Sequence, residues 1–197
     1  MCFPVFLLNR KPGLRLLSPS SIWYDEGMVK TTVYVETTIP SFYHEDRSEP
    51  DIVARREWTR RWWAVAPGRH ELVTSQAVLD ELAEGRPQRS ADCLSLVSGL
   101  LILPVVPAIA DIVEAYIRHR LMPADPLGDA LHLAIASYHK CDFPVTWNCR
   151  HLANANKFGH LRRLNTILGL FVPVLVTPLE LLGDDDENSD DPSRTGD

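Results

Sequence analysis

Between residues 31 and 182 the chain alternates short β-branched or apolar runs with segments of helical periodicity. The run TTVYVE, residues 31–36, is rich in β-branched and aromatic residues, as is typical of a buried parallel strand. The runs HELVTSQ (70–76), LILPVV (101–106) and FPVTW (143–147) follow it, each separated from the next by a predicted helix. Strands regularly separated by helices predict an α/β fold, in which helices cover both faces of a mainly parallel sheet.

Several helix starts can be recognised in the intervals between these runs. Ser75 suits the N-cap of a helix over QAVLDELAE, which Gly85 would end. Pro107 opens a helix over PAIADIVEAYIRHRLM, because proline is favoured at the first helical position. Asp125 as N-cap and Pro126 as first residue predict another helix. Further helices are predicted over residues of about 51–66, 90–99, 150–157 and 160–170.

The helix predicted after Pro126 has one apolar face at helical spacing. That face consists of Leu127, Ala130, Leu131, Ala134, Ile135 and Tyr138. Asp129 lies on the opposite side of this helix. The pattern by itself is therefore as consistent with a solvated acid as with a site residue.

The two ends of the chain differ from the segment between them. Residues 1–29 show no sustained periodicity, and we expect them to form an N-terminal extension outside the fold. Residues 184–197 carry seven acidic residues and one arginine, which accounts for the formal net charge of −6. Such a tail has little to bury and is predicted to be disordered. Residues 30–183 are then expected to form one domain with a sizeable core.

The sequence also allows a prediction of where in the cell the protein resides. No apolar run approaches the roughly 18 residues that a membrane span needs, and the first residues lack the basic segment and cleavage site of a signal peptide. We therefore expect a soluble, cytoplasmic protein with no membrane partner. The four cysteines form no Cys-x-x-Cys pair, so a zinc ribbon is not indicated, and in the cytoplasm they would stay reduced.

Polar residues stand where chemistry is expected in such a fold. Open parallel sheets bind ligands beyond the carboxyl ends of their strands. Glu36 and Asn148 stand at the ends of two predicted strands, and Glu81 lies on the short helix that follows another. Asp129 lies in the first turns of its helix. These four residues are candidates for a shared site.

Other residues allow alternative interpretations. Cys149 and His151 could be zinc ligands or a nucleophile with its base, but residues two apart do not share a helix face and no partner group is evident. His132, three residues after Asp129, could orient it, although helical residues at this spacing meet by default. The segment RREWTRRWW, residues 55–63, could grip RNA by charge and stacking. Its tryptophans at helical spacing favour a core or interface face instead.

Four segments in the same order resemble PIN domains, most closely the bacterial VapC-like toxins. They are VYVETTIPSFY, TSQAVLDELAEG, DALHLAIASYHKCDFPVTWNCRHLANA and LNTILGLFVPVLVTPLELL. The resemblance implies a three-layer α/β/α fold and cleavage of RNA with Mg²⁺ or Mn²⁺. It also implies the toxin role of a type II toxin–antitoxin pair, with an antitoxin partner and a homodimer.

Carried over residue by residue, the resemblance places the first three acids of the family on Glu36, Glu81 and Asp129. The fourth position, often aspartate, falls on Asn148, and the first acid is here the longer glutamate. Thr37 falls where the family carries a threonine or serine beside the first acid, and Glu84 replaces Glu81 if the alignment is shifted by one turn.

The chemistry of these side chains suits the implied reaction. Hard oxygen ligands suit Mg²⁺, so Glu36 and Asp129 are expected to bind metal, tentatively with Asn148, while Glu81 completes the negative pocket. Carboxylates this close are expected to raise one another's pKa. Asn148 removes one negative charge and also suggests the alternative function, an inactive or weakly active PIN domain that binds RNA or protein.

Overall fold

The computed structural model describes residues 30–183, and the predicted extension and acidic tail lie outside the described residues. Its centre is a four-stranded sheet in the order β3-β2-β1-β4, with every neighbouring pair parallel. The strands are β1 (Thr31–Val35), β2 (His70–Ser75), β3 (Leu101–Leu103) and β4 (Phe143–Val145). The prediction of an α/β fold with a parallel sheet is confirmed. β1 lies inside the sheet, with Val33, Tyr34 and Val35 fully buried.

Helices fill the connections between the strands and the segment after the last one. They are α1 (Thr38–Tyr43), α2 (Pro50–Arg69), α3 (Gln76–Ala83), α4 (Pro87–Val97), α5 (Pro107–Arg118), α6 (Asp129–Tyr138), α7 (Ala155–Leu168) and α8 (Pro178–Leu181). None of the described helices is long and apolar enough to cross a membrane. Because each crossover returns the chain to a parallel strand, the carboxyl ends of β1, β2 and β4 meet at one edge of the sheet.

The tryptophan-rich part of α2 packs in the protein interior. Trp62 is fully buried. Trp58 stacks on Trp147, which follows β4, with 6.0 Å between the ring centroids. The guanidinium of Arg55 lies 5.6 Å from the centroids of the Phe42 and Trp147 rings. These rings therefore serve packing, as the helical spacing favoured, and are not an open surface for stacking bases.

The predicted start of α6 is wrong by one turn. The Asp125 carboxylate accepts a hydrogen bond from the backbone N–H of Leu127 at 3.0 Å, which closes a local turn, and the helix begins only at Asp129. The predicted apolar face is also wrong at its ends, since Leu127 is 76% and Tyr138 40% exposed. α6 instead buries consecutive residues from Leu133 to Ser137, as expected of a helix enclosed on most sides.

The prediction of helix over residues 150–157 is wrong in its first half. The backbone N–H groups of Leu152 and Ala153 both donate to the carbonyl oxygen of Asn148 at 3.0 Å, which forms a turn. The helix starts at Ala155, where the Asn154 side chain caps the N–H of Asn156. The short helix α1 was not predicted, since six residues are too few for a periodic pattern.

A buried carboxylate fastens α1 to α4. Glu45, 5% exposed, accepts hydrogen bonds from Arg47 and Arg89 at 2.9 Å each. Arg89 also donates to the carbonyl oxygen of Ser41 at 2.8 Å. The hydrogen bonds from the two guanidinium groups hold the pKa of Glu45 far below its ordinary value of 4.5.

Replacing this carboxylate tests how much its hydrogen bonds to Arg47 and Arg89 stabilise the fold. We expect Glu45→Gln to lower the free energy of unfolding at pH 7 by about 2 kcal/mol, because charge-assisted hydrogen bonds to a buried partner are lost. A lowered pKa stabilises the fold above the ordinary value of 4.5 and less as pH falls below it, so the difference from wild type should shrink below that pH. Urea unfolding at several pH values measures this.

Glu71→Gln is the matched control, since Glu71 is an exposed residue of β2 and should change stability little. Equal stabilities for wild type and Glu45→Gln at pH 7 would contradict the prediction.

Candidate active site

The four residues singled out from the sequence lie at the carboxyl edge of the sheet. Glu36 directly follows β1, Glu81 lies on α3 after β2, and Asn148 lies three residues beyond β4. Asp129 is the first residue of α6. Two separate hydrogen-bonded chains hold these side chains: one joins Glu36 to Asp129 through Thr146 and Asn148, and the other joins Glu81 to His132 and Tyr34.

Glu36 is a buried carboxylate held through one oxygen. It is 5% exposed, and its Oε2 accepts hydrogen bonds from Thr38 N (3.1 Å), Thr38 Oγ1 (2.6 Å) and Thr146 Oγ1 (2.8 Å). Burial raises the pKa of Glu36, while the nearby charge of His132 and the hydroxyl donors oppose that rise. No hydrogen bond from the described residues reaches the other oxygen, Oε1.

Asn148 connects this group to Asp129. Its backbone N–H donates to Thr146 Oγ1 at 2.9 Å, and its side-chain Nδ2 donates to Asp129 Oδ1 at 2.7 Å. Its side-chain amide oxygen, Oδ1, accepts from the backbone N–H of His151 at 3.2 Å. In this arrangement Asn148 orients Asp129, and the idea that its own oxygen binds metal stays a prediction. Burial raises the pKa of Asp129, against the lowering effect of His151 and of the Asn148 hydrogen bond.

Glu81 is the most open of the three acids, with its side chain 51% exposed. Its Oε2 accepts hydrogen bonds from Thr37 Oγ1 at 2.7 Å and His132 Nε2 at 3.1 Å. The His132 hydrogen bond lowers the pKa of Glu81. The carboxylate of Glu84 makes no hydrogen bond to a residue in the described range, so the geometry favours Glu81 over this alternative.

His132 occupies the middle of the site, which sequence reasoning did not assign to it. The ring is 3% exposed and bonds Glu81 through Nε2, while Nδ1 lies 2.9 Å from the Tyr34 hydroxyl. That hydroxyl lies 2.8 Å from Ser75 Oγ, which caps α3 by accepting from Val78 N. His132 therefore contacts Glu81 rather than Asp129, its neighbour in sequence.

The carboxylates around His132 shift the pKa of its ring. Burial lowers its pKa, but the hydrogen bond to Glu81 and the charges of Glu36, Glu81 and Asp129 outweigh burial and raise it. The expected mutual repulsion of the carboxylates does not govern their pKa values: burial raises two of them, and His132 lowers the third. The hydrogen bond between Glu81 and the buried His132 ring explains why the pKa of this one acid is lowered.

The donor set suits a hard divalent cation. Each of the three carboxylates is fixed through one oxygen, and no described residue makes a hydrogen bond to the other. Within residues 30–183, however, no three His, Cys, Asp or Glu side chains already form a metal-binding group. Mg²⁺ is commonly held by one or two carboxylates with water and substrate phosphate, which such open oxygens can provide.

Cys149 and His151 do not form a separate centre. Cys149 is an exposed free cysteine, and His151 reaches the site through its backbone N–H. Within residues 30–183 no third ligand joins them in a metal-binding group, so the zinc-site interpretation gains no support.

Comparison with known proteins adds little to this geometry. No protein-family profile matches the chain, and no curated protein matches it. Among solved structures it is similar to a chain of VapBC2 from Rickettsia felis, solved bound to a DNA fragment from their promoter. The match has 13% identity and a TM-score of 0.44, and covers 75% of this chain and 98% of that chain. A similarity this low supports no functional conclusion.

The pairing of Glu81 with His132 can be tested by titration. We expect Glu81→Gln to lower the pKa of His132, because it removes the strongest influence that raises it. The raised pKa stabilises the fold below the ordinary value of 6.5, and this contribution is lost as pH rises through the folded-state pKa. NMR titration of the His132 ring measures the change.

Glu84→Gln provides the control, since Glu84 lies on the same short segment without contacting the ring. A His132 pKa that is equal in wild type and Glu81→Gln would show that the hydrogen bond does not set the histidine's charge.

Proposed function

We propose that this protein is a metal-dependent endoribonuclease and the toxin component of a type II toxin–antitoxin pair. The observation that supports this most is the arrangement of Glu36, Glu81 and Asp129 at the carboxyl edge of a parallel sheet, each fixed through one oxygen. The sequence resemblance to VapC-like PIN domains adds the substrate, RNA.

In this proposal Glu36 and Asp129 would hold Mg²⁺ or Mn²⁺, with Asn148 a tentative third ligand. The metal would supply Lewis acidity and a water of lowered pKa for phosphodiester hydrolysis. Thr38, Thr146 and Asn148 keep the two carboxylates oriented.

Glu81 would have a different role. Its lowered pKa keeps it charged near neutral pH, and it is open enough to accept a hydrogen bond from an attacking water. Thr37 and His132 fix its orientation through hydrogen bonds to the other oxygen.

An exposed apolar surface supports the proposed protein partners. Val105 and Leu127, which are 47% and 76% exposed, line a groove of about 570 Å³ between α5 and the start of α6. Leu101 and Ile102 of the edge strand β3 are also 59% and 46% exposed. Exposed apolar surface marks protein contact sites, so an antitoxin or a second copy of the chain would be accommodated at the groove.

The alternative is an inactive or weakly active PIN domain that binds RNA or protein. Asn148 favours it, because an amide stands where a fourth carboxylate would strengthen metal binding, and it is engaged with Asp129. A neighbouring short reading frame for a DNA-binding antitoxin would favour the toxin role over this alternative.

Cleavage of mixed RNA by the purified protein tests the nuclease proposal. With Mn²⁺ we expect cleavage by wild type, none with EDTA, and at least about a hundredfold slower cleavage by Asp129→Asn, because a carboxylate of the site is lost. Electrophoresis of the products at timed intervals measures the rates. Asp111→Asn, which changes an exposed acid of α5, should cleave like wild type.

Equal cleavage by wild type and Asp129→Asn, or no cleavage with any divalent metal, would exclude the nuclease proposal and leave the binding module.

Restoring a carboxylate at position 148 tests the fourth site residue. We expect Asn148→Asp to raise Mn²⁺ affinity or the cleavage rate, because a second negative charge would stand beside Asp129. Without metal, the new carboxylate repels Asp129 instead of donating a hydrogen bond to it, as Asn148 does. Because Mn²⁺ would relieve this repulsion, it should raise the melting temperature more in the variant than in wild type.

Calorimetric titration with Mn²⁺ and thermal melting measure both effects. If Asn148→Asp changes neither metal affinity nor the metal-dependent shift in melting temperature, then residue 148 does not belong to the metal site.

A further inference from the structure

A second, smaller cavity adjoins the acidic site. It has a volume of about 240 Å³ and lies between the end of β1, α3 and the first turns of α4. Its lining is Thr37, Ser41, Glu81, Leu82, Gly85, Arg86, Arg89, Ser90 and Cys93. Thr37 and Glu81 belong to the candidate active site, so whatever occupies this cavity lies directly beside that site.

The cavity has a positive side opposite Glu81. Arg89 is fixed by Glu45 and by the carbonyl oxygen of Ser41, and its charge is largely matched by Glu45. Arg86 differs, because it is exposed and its guanidinium makes no hydrogen bond or ion pair with any residue of the described range, although its backbone carbonyl accepts from Ser90 N at 2.8 Å. An uncompensated guanidinium beside an acidic site is suited to a substrate that carries negative charge on both sides of the reacting group.

The floor of the cavity contains an unused polar group. Ser90 is 8% exposed, and its Oγ has no hydrogen-bond partner among the described residues. A buried hydroxyl without a partner costs free energy, so its presence calls for a ligand or a functional reason. A Cβ at residue 85 would lie only 2.9 Å from this oxygen, so only glycine leaves the approach to Ser90 open.

The start of α4 adds backbone donors. Arg86 is the N-cap of this 11-residue helix and Pro87 its first residue. The following N–H groups of the first turn, those of Gln88 and Arg89, have no partner within the helix, and the helix dipole favours an anion at this end. Guanidinium, hydroxyl and helix start together form a site for a phosphate group.

We propose that Arg86, Ser90 and the start of α4 bind a backbone phosphate of single-stranded RNA next to the phosphodiester at the acidic site. This subsite rests on the proposed function for its substrate and deepens it, because it defines the path of the strand from Glu81 across the start of α4. Gly85 keeps that path free of a side chain.

The test measures binding separately from cleavage. A fluorescein-labelled single-stranded RNA oligonucleotide is titrated with Asp129→Asn protein, and anisotropy gives the dissociation constant at several salt concentrations. Adding Arg86→Gln should weaken binding about tenfold and reduce the slope of log affinity against log salt by about 0.7, the value for one phosphate contact on a single strand. Adding Arg118→Gln should change neither quantity.

Arg118 is the matched control because it is an exposed arginine in the last turn of α5, which starts beyond the carboxyl end of β3 and runs back toward the opposite edge of the sheet. If Arg86→Gln and Arg118→Gln bind the RNA equally, the subsite is wrong. It is also wrong if the Asp129→Asn parent does not bind the oligonucleotide.

Ser90→Ala separates binding from folding. Because the hydroxyl has no hydrogen-bond partner within residues 30–183, its removal should not lower the melting temperature, yet it should weaken RNA binding about threefold. A lower melting temperature with unchanged binding would assign Ser90 a structural role and overturn its place in the subsite.

Cleavage assays distinguish this proposal from the nuclease proposal. Arg86→Gln should raise KM about tenfold with kcat little changed, as expected when binding energy away from the reacting atoms is lost. If wild type binds RNA through Arg86 but never cleaves it, the nuclease proposal fails and the subsite stands. If wild type cleaves RNA and Arg86→Gln has an unchanged KM, the nuclease proposal stands and the subsite fails.

Discussion

The hydrogen bonding of the buried Glu36 carboxylate is the constraint on which the rest of the site depends. A carboxylate this deep is tolerated only when polar groups compensate for the water it has lost. Thr38 and Thr146 provide that compensation, and they stand on the segments that follow two neighbouring strands. The same hydroxyls accept the backbone N–H groups of Trp147 and Asn148 at 2.8 and 2.9 Å, respectively. Compensating Glu36 therefore also fixes the loop that carries Asn148 and, through it, Asp129.

His132 reduces the electrostatic cost of placing the carboxylates close together. Three carboxylates at one sheet edge would repel one another in the absence of a cation. The buried ring lies among them, and the pKa of Glu81 is lowered rather than raised as a result. The site can therefore be folded and oriented before any cation or substrate arrives.

The strand and helix pattern was sufficient to predict the parallel sheet, because its apolar runs are regularly spaced and separated by long helices. Placing Glu36 and Asn148 at strand ends also brought them correctly to one edge. The start of α6 was wrong because Asp125 makes a local turn with Leu127 that resembles a helix cap in sequence. The role of His132 could not be predicted, since its contacts with Tyr34 and Glu81 join residues 98 and 51 positions apart. The signal that could have indicated it was a histidine among the alanine, leucine and isoleucine residues of α6.

The short helix α3 carries Glu81 and also connects it to the Ser75 cap at the end of β2. Ser75 caps its first turn and also contacts Tyr34, whose hydroxyl reaches the same histidine that bonds Glu81. Two sets of contacts thus fix the position of Glu81. One is the helix itself, starting from the Ser75 cap, and the other is the hydrogen-bonded path through the Tyr34 and His132 rings. Glu81 lies six residues after Ser75, which is about 9 Å along the helix axis at 1.5 Å per residue. These contacts form a closed loop, so a change at the Ser75 cap, the Tyr34 phenol or the His132 ring is expected to displace the Glu81 carboxylate.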